Sequence, residues 1–328
     1  MRAWQVTKHG EPQDALRLVG DAEAPKPGPG QLRLRVLASA VGLPDVYMCR
    51  GDYPLTPPLP FTPGQEVVGV VSVAGEGARA RVGDRVMAIA AFFLQQGSFA
   101  EECLALDDFA FPVPETMEDV EAAGFVIPFH TAHVALVRRA GLAPGETVLV
   151  LGGAGGSGSA AIQLAKAEGG RVIATASSAE KAAFCTELGA DLVIGPEDIA
   201  AEVREATDGR GADVVFDAVG GAAFDAATHC IAHEGRLLVV GFASGSWGQP
   251  RPEHLVTHNY SVLGVMPGGY ERSFKEDAQA LLLDHWRAGR LRTAVHEVVP
   301  FERAAAAVDL VAQRRVMGKV VVQCGVAS

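Results

Sequence analysis

Apolar and polar positions follow two different textures along the chain, and the change falls near residue 122. Before it, short β-like runs at 1–6, 31–38, 66–73 and 85–89 are broken by glycine and proline. The segments 25–30 and 54–63 read as turns or loops, so this part predicts a barrel-type domain of antiparallel strands. After it, apolar strands are predicted at 147–151, 171–175, 191–194, 213–217, 236–240 and 261–265. Helices are expected between most of them, among them 179–188, 198–206 and 222–231. Strands alternating with helices build a doubly wound parallel sheet with right-handed crossovers, which makes the fold class α/β. The tail mixes a helix at 273–288, a strand at 295–299, a helix at 302–313 and a strand at 318–323. Domains are therefore expected at 1–121 and 122–267, with 268–328 returning to complete the first.

One junction carries chemistry. Between the strand 147–151 and a helix expected over 159–168 lies Gly152-Gly153-Ala154-Gly155-Gly156-Ser157-Gly158, in which Gly153, Gly155 and Gly158 fit G-x-G-x-x-G. Glycine permits the tight turn, the close backbone approach to a pyrophosphate and the packing of helix on strand. The helix start offers free N–H donors to the anion. A dinucleotide site made by Gly153, Gly155, Gly156, Ser157 and Gly158 is expected. Folds that prefer NAD usually end the next strand with Asp or Glu, which accepts the ribose 2′-hydroxyl. Residues 171–179 hold neither acid, and Ser177, Ser178 and Lys181 offer hydroxyls and a cation where a 2′-phosphate would lie. The same residues also make an ordinary helix start, with Ser178 capping and Lys181 in solvent. The missing acid favours NADPH over NADH.

Composition narrows the partners. Apolar residues make up 48% of the 328 and charged residues 20%, as in globular proteins, and the formal net charge is −11. That acidic balance disfavours nucleic acid and anionic membrane surfaces. No apolar run reaches the ~18 residues of a membrane span. The start reads as a strand and not as a leader, so a cytoplasmic location is expected. Cys49, Cys103, Cys185, Cys230 and Cys324 are scattered without a C-x-x-C and read as free thiols. His130/His133, His229/His233 and His254/His258 have helix-compatible spacing for a metal. Without an H-E-x-x-H they read as surface or packing residues, and no G-x-S-x-G elbow occurs.

Several further segments carry a family resemblance. They include Pro60-Phe61-Thr62-Pro63-Gly64-Gln65-Glu66-Val67-Val68-Gly69, Val82-Gly83-Asp84-Arg85-Val86 and Ala143-Pro144-Gly145-Glu146-Thr147. Asp217-Ala218-Val219-Gly220-Gly221, Gly241-Phe242-Ala243-Ser244-Gly245 and Gly318-Lys319-Val320 follow in order. Over essentially its whole length the chain resembles the medium-chain dehydrogenase/reductase superfamily, in its zinc-free quinone oxidoreductase branch related to zeta-crystallin. The resemblance implies a GroES-like barrel-type catalytic domain and a Rossmann domain that binds NADP. Zinc alcohol dehydrogenases of this superfamily hold a catalytic metal with a Cys, the His of Gly-His-Glu and a second Cys. At the matching places this chain has Gly42, Gln65 and Ile127, none of them a good zinc ligand. The structural-zinc lobe needs four cysteines near residue 95, and 90–102 has none. Without a Lewis acid, alcohol oxidation is the less favoured chemistry.

The resemblance places the acceptor in the cleft between domains and points to Tyr47 and Tyr53. Either phenol could hydrogen-bond an acceptor oxygen as charge develops or stack on a flat ring, the alternative being simple packing of the barrel. Thr131 matches a position near the nicotinamide, and otherwise serves as a helix-start hydroxyl. Val240, Gly241, Phe242 and Ala243 follow the fifth strand at the carboxyl edge, where their backbone could hold the nicotinamide side. Lys319 either contacts the cofactor or is a solvated strand-end charge. Two departures stand out: the family often has Asn at Gly42, and Tyr soon after the third strand, where this chain reads Val193-Ile194-Gly195-Pro196. The first leaves substrate placement open, and the second counts against NADPH. The segment 90–99 is longer than usual and is expected, with 266–270, to shape the pocket mouth.

The implied function is NADPH-dependent reduction of quinones or α,β-unsaturated carbonyls, free of zinc and of flavin. The partners are then a small-molecule electron acceptor and a second copy of the chain, paired through the strand 261–265. The nearest alternative is an enoyl-thioester or 2-alkenal reductase, although no Lys/Arg cluster suits a coenzyme A thioester. The alternative of another class is a non-catalytic, crystallin-like NADPH-binding protein.

Overall fold

Residues 1–324 are described in a computed structural model. The glycine and proline breaks of the first texture cut the chain into strands β1 (Ala3–Val6), β2 (Leu16–Val19), β3 (Gln31–Val41), β4 (Glu66–Ala74), β5 (Arg85–Ala90) and β6 (Glu102–Pro112). Leu32, Leu34 and Val36 of β3 point inward at alternate positions, as a half-buried strand requires. β3 pairs with β4 along its length and with β6 over Gln31–Arg35, and β4–β5 and β5–β6 complete an antiparallel ring. Closing the ring removes the edges an open sheet would expose. Its core holds Leu32, Leu34, Phe61, Val67, Phe99 and Phe301.

The second texture gives β7 (Thr147–Leu151), β8 (Arg171–Thr175), β9 (Leu192–Ile194), β10 (Ala212–Asp217), β11 (Ile231–Val239) and β12 (Ser261–Gly264). They form one parallel sheet in the order β12-β11-β10-β7-β8-β9. β7 is buried at every residue, which is why it reads as a continuous apolar run. Chain order reverses between β7 and β10, the switch point at which ligands bind such sheets. β11 begins at Ile231, earlier than the apolar pattern indicated. Its first part is irregular, with Glu234 at φ 60° and a register shift against β10, so alternation is lost there.

The chain divides into two compact units, Met1–Ile127 together with the chain from Thr293 onward, and Pro128–Arg292. The helix Arg272–Arg287 lies in the second unit. Its buried face reaches His130 through Gln279 (2.8 Å) and Glu168 through His285 (2.8 Å), so the return starts after it and not at residue 268. The returning strands β13 (Val295–Pro300) and β14 (Lys319–Gln323) pair in parallel, and β14 joins β3 at Ala38–Val41. No helix among the described residues is long and apolar enough to cross a membrane.

Candidate active site

At the switch point, Gly152 leaves β7 at φ +70° and the chain turns into the helix Gly156–Ala167. This helix starts ahead of the expected residue 159. Glycine's low helix propensity hid the first turn from the pattern. Gly156, Ser157 and Gly158 thus sit ahead of the first helical bond, from Ser159 N–H to the Gly155 carbonyl (2.8 Å), with N–H groups of the kind that bind anions. The glycines differ in what they permit. A Cβ on Gly158 would lie 2.2 Å from the Gly152 carbonyl oxygen, and one on Gly153 would press Ala174, Cys185 and Ile162 at 2.9–3.1 Å. A Cβ on Gly155 meets nothing nearer than 3.4 Å, so that glycine leaves open space in front of the turn. Thr175 at the end of β8 pins the turn, its hydroxyl accepting from Gly152 N–H (2.8 Å) and its carbonyl from Gly153 N–H (3.0 Å). This cradle fits a pyrophosphate.

Beyond β8, the Ser178 hydroxyl accepts from the Lys181 N–H (3.3 Å) and caps the helix Ala179–Glu187. The Lys181 ammonium reaches the exposed Ser177 hydroxyl (3.4 Å), so the helix cap and the pairing of one cation with a hydroxyl occur together. On the other side of the switch point, Asp217 ends β10 fully buried. Its Oδ1 accepts from Val219 and Gly220 N–H (2.8 Å each), and its pKa is raised by burial against those two bonds. The carbonyls of 217–219 receive the N–H groups of Val240, Gly241, Ala243 and Ser244 (2.8–3.2 Å), which fixes the segment 240–244 at the carboxyl edge. Phe242 packs on Trp247 with ring centroids 4.5 Å apart. Thr131 lies near the end of the helix Val126–Ala132, not at its start, and the chain continues into a π-helical stretch, His133–Arg139. Its hydroxyl therefore does not cap a helix.

In the first unit, Tyr47 lies buried on the helix Leu43–Arg50, and its hydroxyl accepts from the Arg314 guanidinium (3.3 Å). Tyr53 packs partly buried against the barrel core. Burial raises its pKa, and a hydrogen bond that the phenol oxygen accepts from the Gln65 side chain works the other way. The buried Asp45 ties two loops together, accepting from Gly42 N–H (2.8 Å) and Gly64 N–H (2.9 Å). Burial pushes its pKa up to about 6 against those bonds. Lys319 is not a solvated charge. It is 8% exposed, and its ammonium lies 3.1 Å from the Glu66 carboxylate, itself 1% exposed. The other Glu66 oxygen accepts from Ile127 N–H (2.7 Å). Burial raises the Glu66 pKa, opposed first by Lys319. Gly124 makes room for this pair, since a Cβ there would stand 3.3 Å from the Lys319 stem.

Asp45, Glu66 and Asp217 were missed as polar anchors, because their burial is a property of the fold. Asp45 and Glu66 each follow a glycine, Gly42 and Gly64, within three residues, and Asp217 precedes Gly220 by three, which is the only trace in the sequence. The segment 90–99 braces Gly64: Ser98 N–H donates to the Gly64 carbonyl (3.0 Å) and Gly97 N–H to that of Thr62 (3.0 Å). His130 and His133 are buried, and burial pushes His130 down to about 4. No group of three or more His, Cys, Asp or Glu among the described residues converges as a metal site. Gly42, Gln65 and Ile127 bring no thiolate, imidazole or carboxylate, so this donor set does not fit zinc.

Two family models match the chain: "Alcohol dehydrogenase GroES-like domain" over residues 28–115 and "Zinc-binding dehydrogenase" over 156–283. With the ring of antiparallel strands and the parallel sheet, they place the molecule in the medium-chain dehydrogenase/reductase class of oxidoreductases. The quinone oxidoreductase of Sus scrofa is 30% identical over 98% of this chain and 97% of its own length. A mycobacterial protein solved in complex with NADPH is 34% identical with a TM-score of 0.92, covering 98% of this chain and 100% of its own. The quinone oxidoreductase of Thermus thermophilus, also solved with NADPH, is 35% identical with a TM-score of 0.84 over the same shares. The chain belongs to the zinc-free quinone oxidoreductase branch of that superfamily.

Proposed function

We propose that this protein is an NADPH-dependent reductase of quinones or α,β-unsaturated carbonyls that uses neither zinc nor flavin. The observation that carries the reading is the open glycine cradle at the switch point, followed by a strand end without an acid and with Lys181 on Ser177. Two relatives of near-identical length were solved with NADPH, which supports the same cofactor here. Bound NADPH supplies the hydride. The N–H groups of Gly156, Ser157 and Gly158 hold the pyrophosphate, with Gly153 and Gly155 shaping the turn. Ser177, Ser178 and Lys181 receive the 2′-phosphate. The backbone of Val240, Gly241, Phe242 and Ala243, with Thr131, takes the nicotinamide side. Lys319, held by Glu66, is assigned to the scaffold. On the acceptor side Tyr53 remains protonated at neutral pH, since burial raises its pKa, and can donate to an acceptor oxygen. Tyr47, tied to Arg314, is assigned to positioning. The edge strand β12 supports a two-chain assembly.

The test is steady-state oxidation of NADPH and of NADH by metal-free enzyme with an ortho-quinone, a para-quinone, a 2-alkenal and crotonyl-CoA. NADPH-selective turnover of quinone or alkenal is expected. Turnover of crotonyl-CoA alone would make it an enoyl-thioester reductase. Tight NADPH binding without turnover of any acceptor would overturn the reductase reading in favour of a binding protein.

A further inference from the structure

Asp217 ends β10 in register with Leu151, the last residue of β7, and with Val239, the last of β11. It therefore stands between the glycine turn on one side and the segment 240–244 on the other. Its main chain holds the segment: the Asp217 carbonyl accepts from Val240 N–H (2.9 Å) and Gly241 N–H (3.2 Å). Its buried side chain turns forward, and Oδ1 closes a turn by accepting from Val219 and Gly220 N–H (2.8 Å each). Asp and Asn make such turns with the backbone that follows them. Both sides of the switch point rest on this turn. Val219 Cγ2 lies 2.9 Å from where a Cβ on Gly152 would stand, and a Cβ on Gly220 would lie 2.3 Å from the Ser246 carbonyl oxygen. The carbonyls of Ala218 and Val219 accept from Ala243 N–H (3.0 Å) and Ser244 N–H (2.8 Å). Without Oδ1, two N–H groups of a partly buried turn lose their acceptor, and the backbone that carries 243–244 is released. The glycine turn keeps its own anchor in the hydroxyl and carbonyl of Thr175. The two halves of the dinucleotide site are thus held by different residues. Oδ2 is sealed with no hydrogen-bond partner among the described residues, so among them the turn is the whole hydrogen-bonding role of this carboxyl group.

We infer that Asp217 is a positioning residue for the nicotinamide half of the cofactor, acting through the Val219–Gly220 turn on the segment 240–244 and not by touching the ligand. This rests on the reading that the segment takes the nicotinamide side. The working group is the Oδ1 acceptor and not the charge, since a neutral amide in the same place can accept the same two bonds.

The test compares wild type with Asp217→Asn, which keeps the acceptor, with Asp217→Ser, which shortens it, and with Asp217→Ala, which removes it. Two readouts need no turnover. Titration calorimetry gives Kd for NADPH and for adenosine 2′,5′-bisphosphate, which lacks the nicotinamide, and the fluorescence lifetime of bound NADPH reports how firmly its reduced ring is held. In Asp217→Ala the Kd for NADPH should rise about tenfold, the worth of one hydrogen bond, while that for the bisphosphate moves by less than about twofold. The lifetime of bound NADPH should fall back towards that of free NADPH. On the acceptor that wild type turns over fastest, kcat should fall by about 10²-fold, the usual cost of misplacing a reacting group by about 1 Å. Asp217→Ser should lie between Asp217→Ala and wild type, and it carries the test if Asp217→Ala does not fold. Asp217→Asn should keep the wild-type lifetime and the wild-type ratio of the two Kd values, whatever its melting temperature. An equal loss of both ligands in Asp217→Ser, or an unchanged lifetime and ratio there, overturns the inference. So does an Asp217→Asn chain that behaves like Asp217→Ala. A wild-type chain that lengthens the NADPH lifetime and reduces no acceptor overturns the reductase reading, while the split in Asp217→Ser still supports this inference.

Discussion

Lys319→Met separates a scaffold role for this lysine from a cofactor role. In the folded chain the ammonium and the Glu66 carboxylate are 3.1 Å apart and nearly sealed from water. Removing the cation leaves a buried carboxylate whose remaining described partners are backbone N–H groups at Val126 and Ile127. Breaking a buried pair from one side costs about 3–5 kcal/mol. For a unit of this size, each kcal/mol lowers Tm by roughly 2–4 °C. Differential scanning calorimetry should therefore show a Tm lower by about 6–20 °C. Glu66→Gln in the Lys319→Met background removes the stranded charge and should recover part of the loss. The pH dependence has a definite sign. Burial already raises the Glu66 pKa, and without Lys319 the charged form is penalised further. The folded variant then binds a proton more readily than the unfolded chain, so its deficit against wild type should shrink as pH falls through the acid range. If Lys319→Met melts within about 2 °C of wild type and instead weakens NADPH binding, the scaffold reading is wrong and the lysine is a cofactor contact.

Four further variants have definite expected outcomes. Gly155→Ala should keep the wild-type Tm and lose at least about tenfold in NADPH affinity, because its Cβ fits the fold but fills the anion cradle. Gly158→Ala should instead lower Tm, its Cβ colliding with the Gly152 carbonyl at 2.2 Å; isothermal titration and calorimetry distinguish the two. Lys181→Ala should reduce the preference for NADPH over NADH by about tenfold in Kd while leaving NADH binding unchanged, as expected for loss of one charge on a phosphate. An equal loss for both cofactors would remove Lys181 from the 2′-phosphate site. Asp45, pushed by burial to a pKa of about 6 from an ordinary 3.8, is unfavourable in its charged form, so its contribution to stability grows as pH falls from 7 through that value. Asp45→Asn should flatten that part of the stability profile in urea titrations at stepped pH, and an unaltered slope would rule out Asp45 as its source.

Much of the molecule is legible in the chain itself. The parallel strands are apolar because both faces are covered, so β7, β8 and β10 announce themselves by local composition. The glycine turn is equally visible, since its φ of +70° at Gly152 and the 2.2 Å approach at Gly158 admit no side chain. Other groups take their chemistry from distant partners and give no local sign of it. Lys319 looks like a strand-end charge until β14 is laid against β3 and its ammonium meets Glu66, far away in sequence. Gln65 looks like a lost metal ligand until the fold buries it beside Tyr53 and sets its carbonyl on Ala90 N–H. The start of the Gly156–Ala167 helix was hidden for a related reason: glycine disfavours the helix locally, and packing on the sheet overrides that preference. Periodicity and turn chemistry are local and survive in the sequence, whereas burial and partnership arise only when segments far apart in the chain meet.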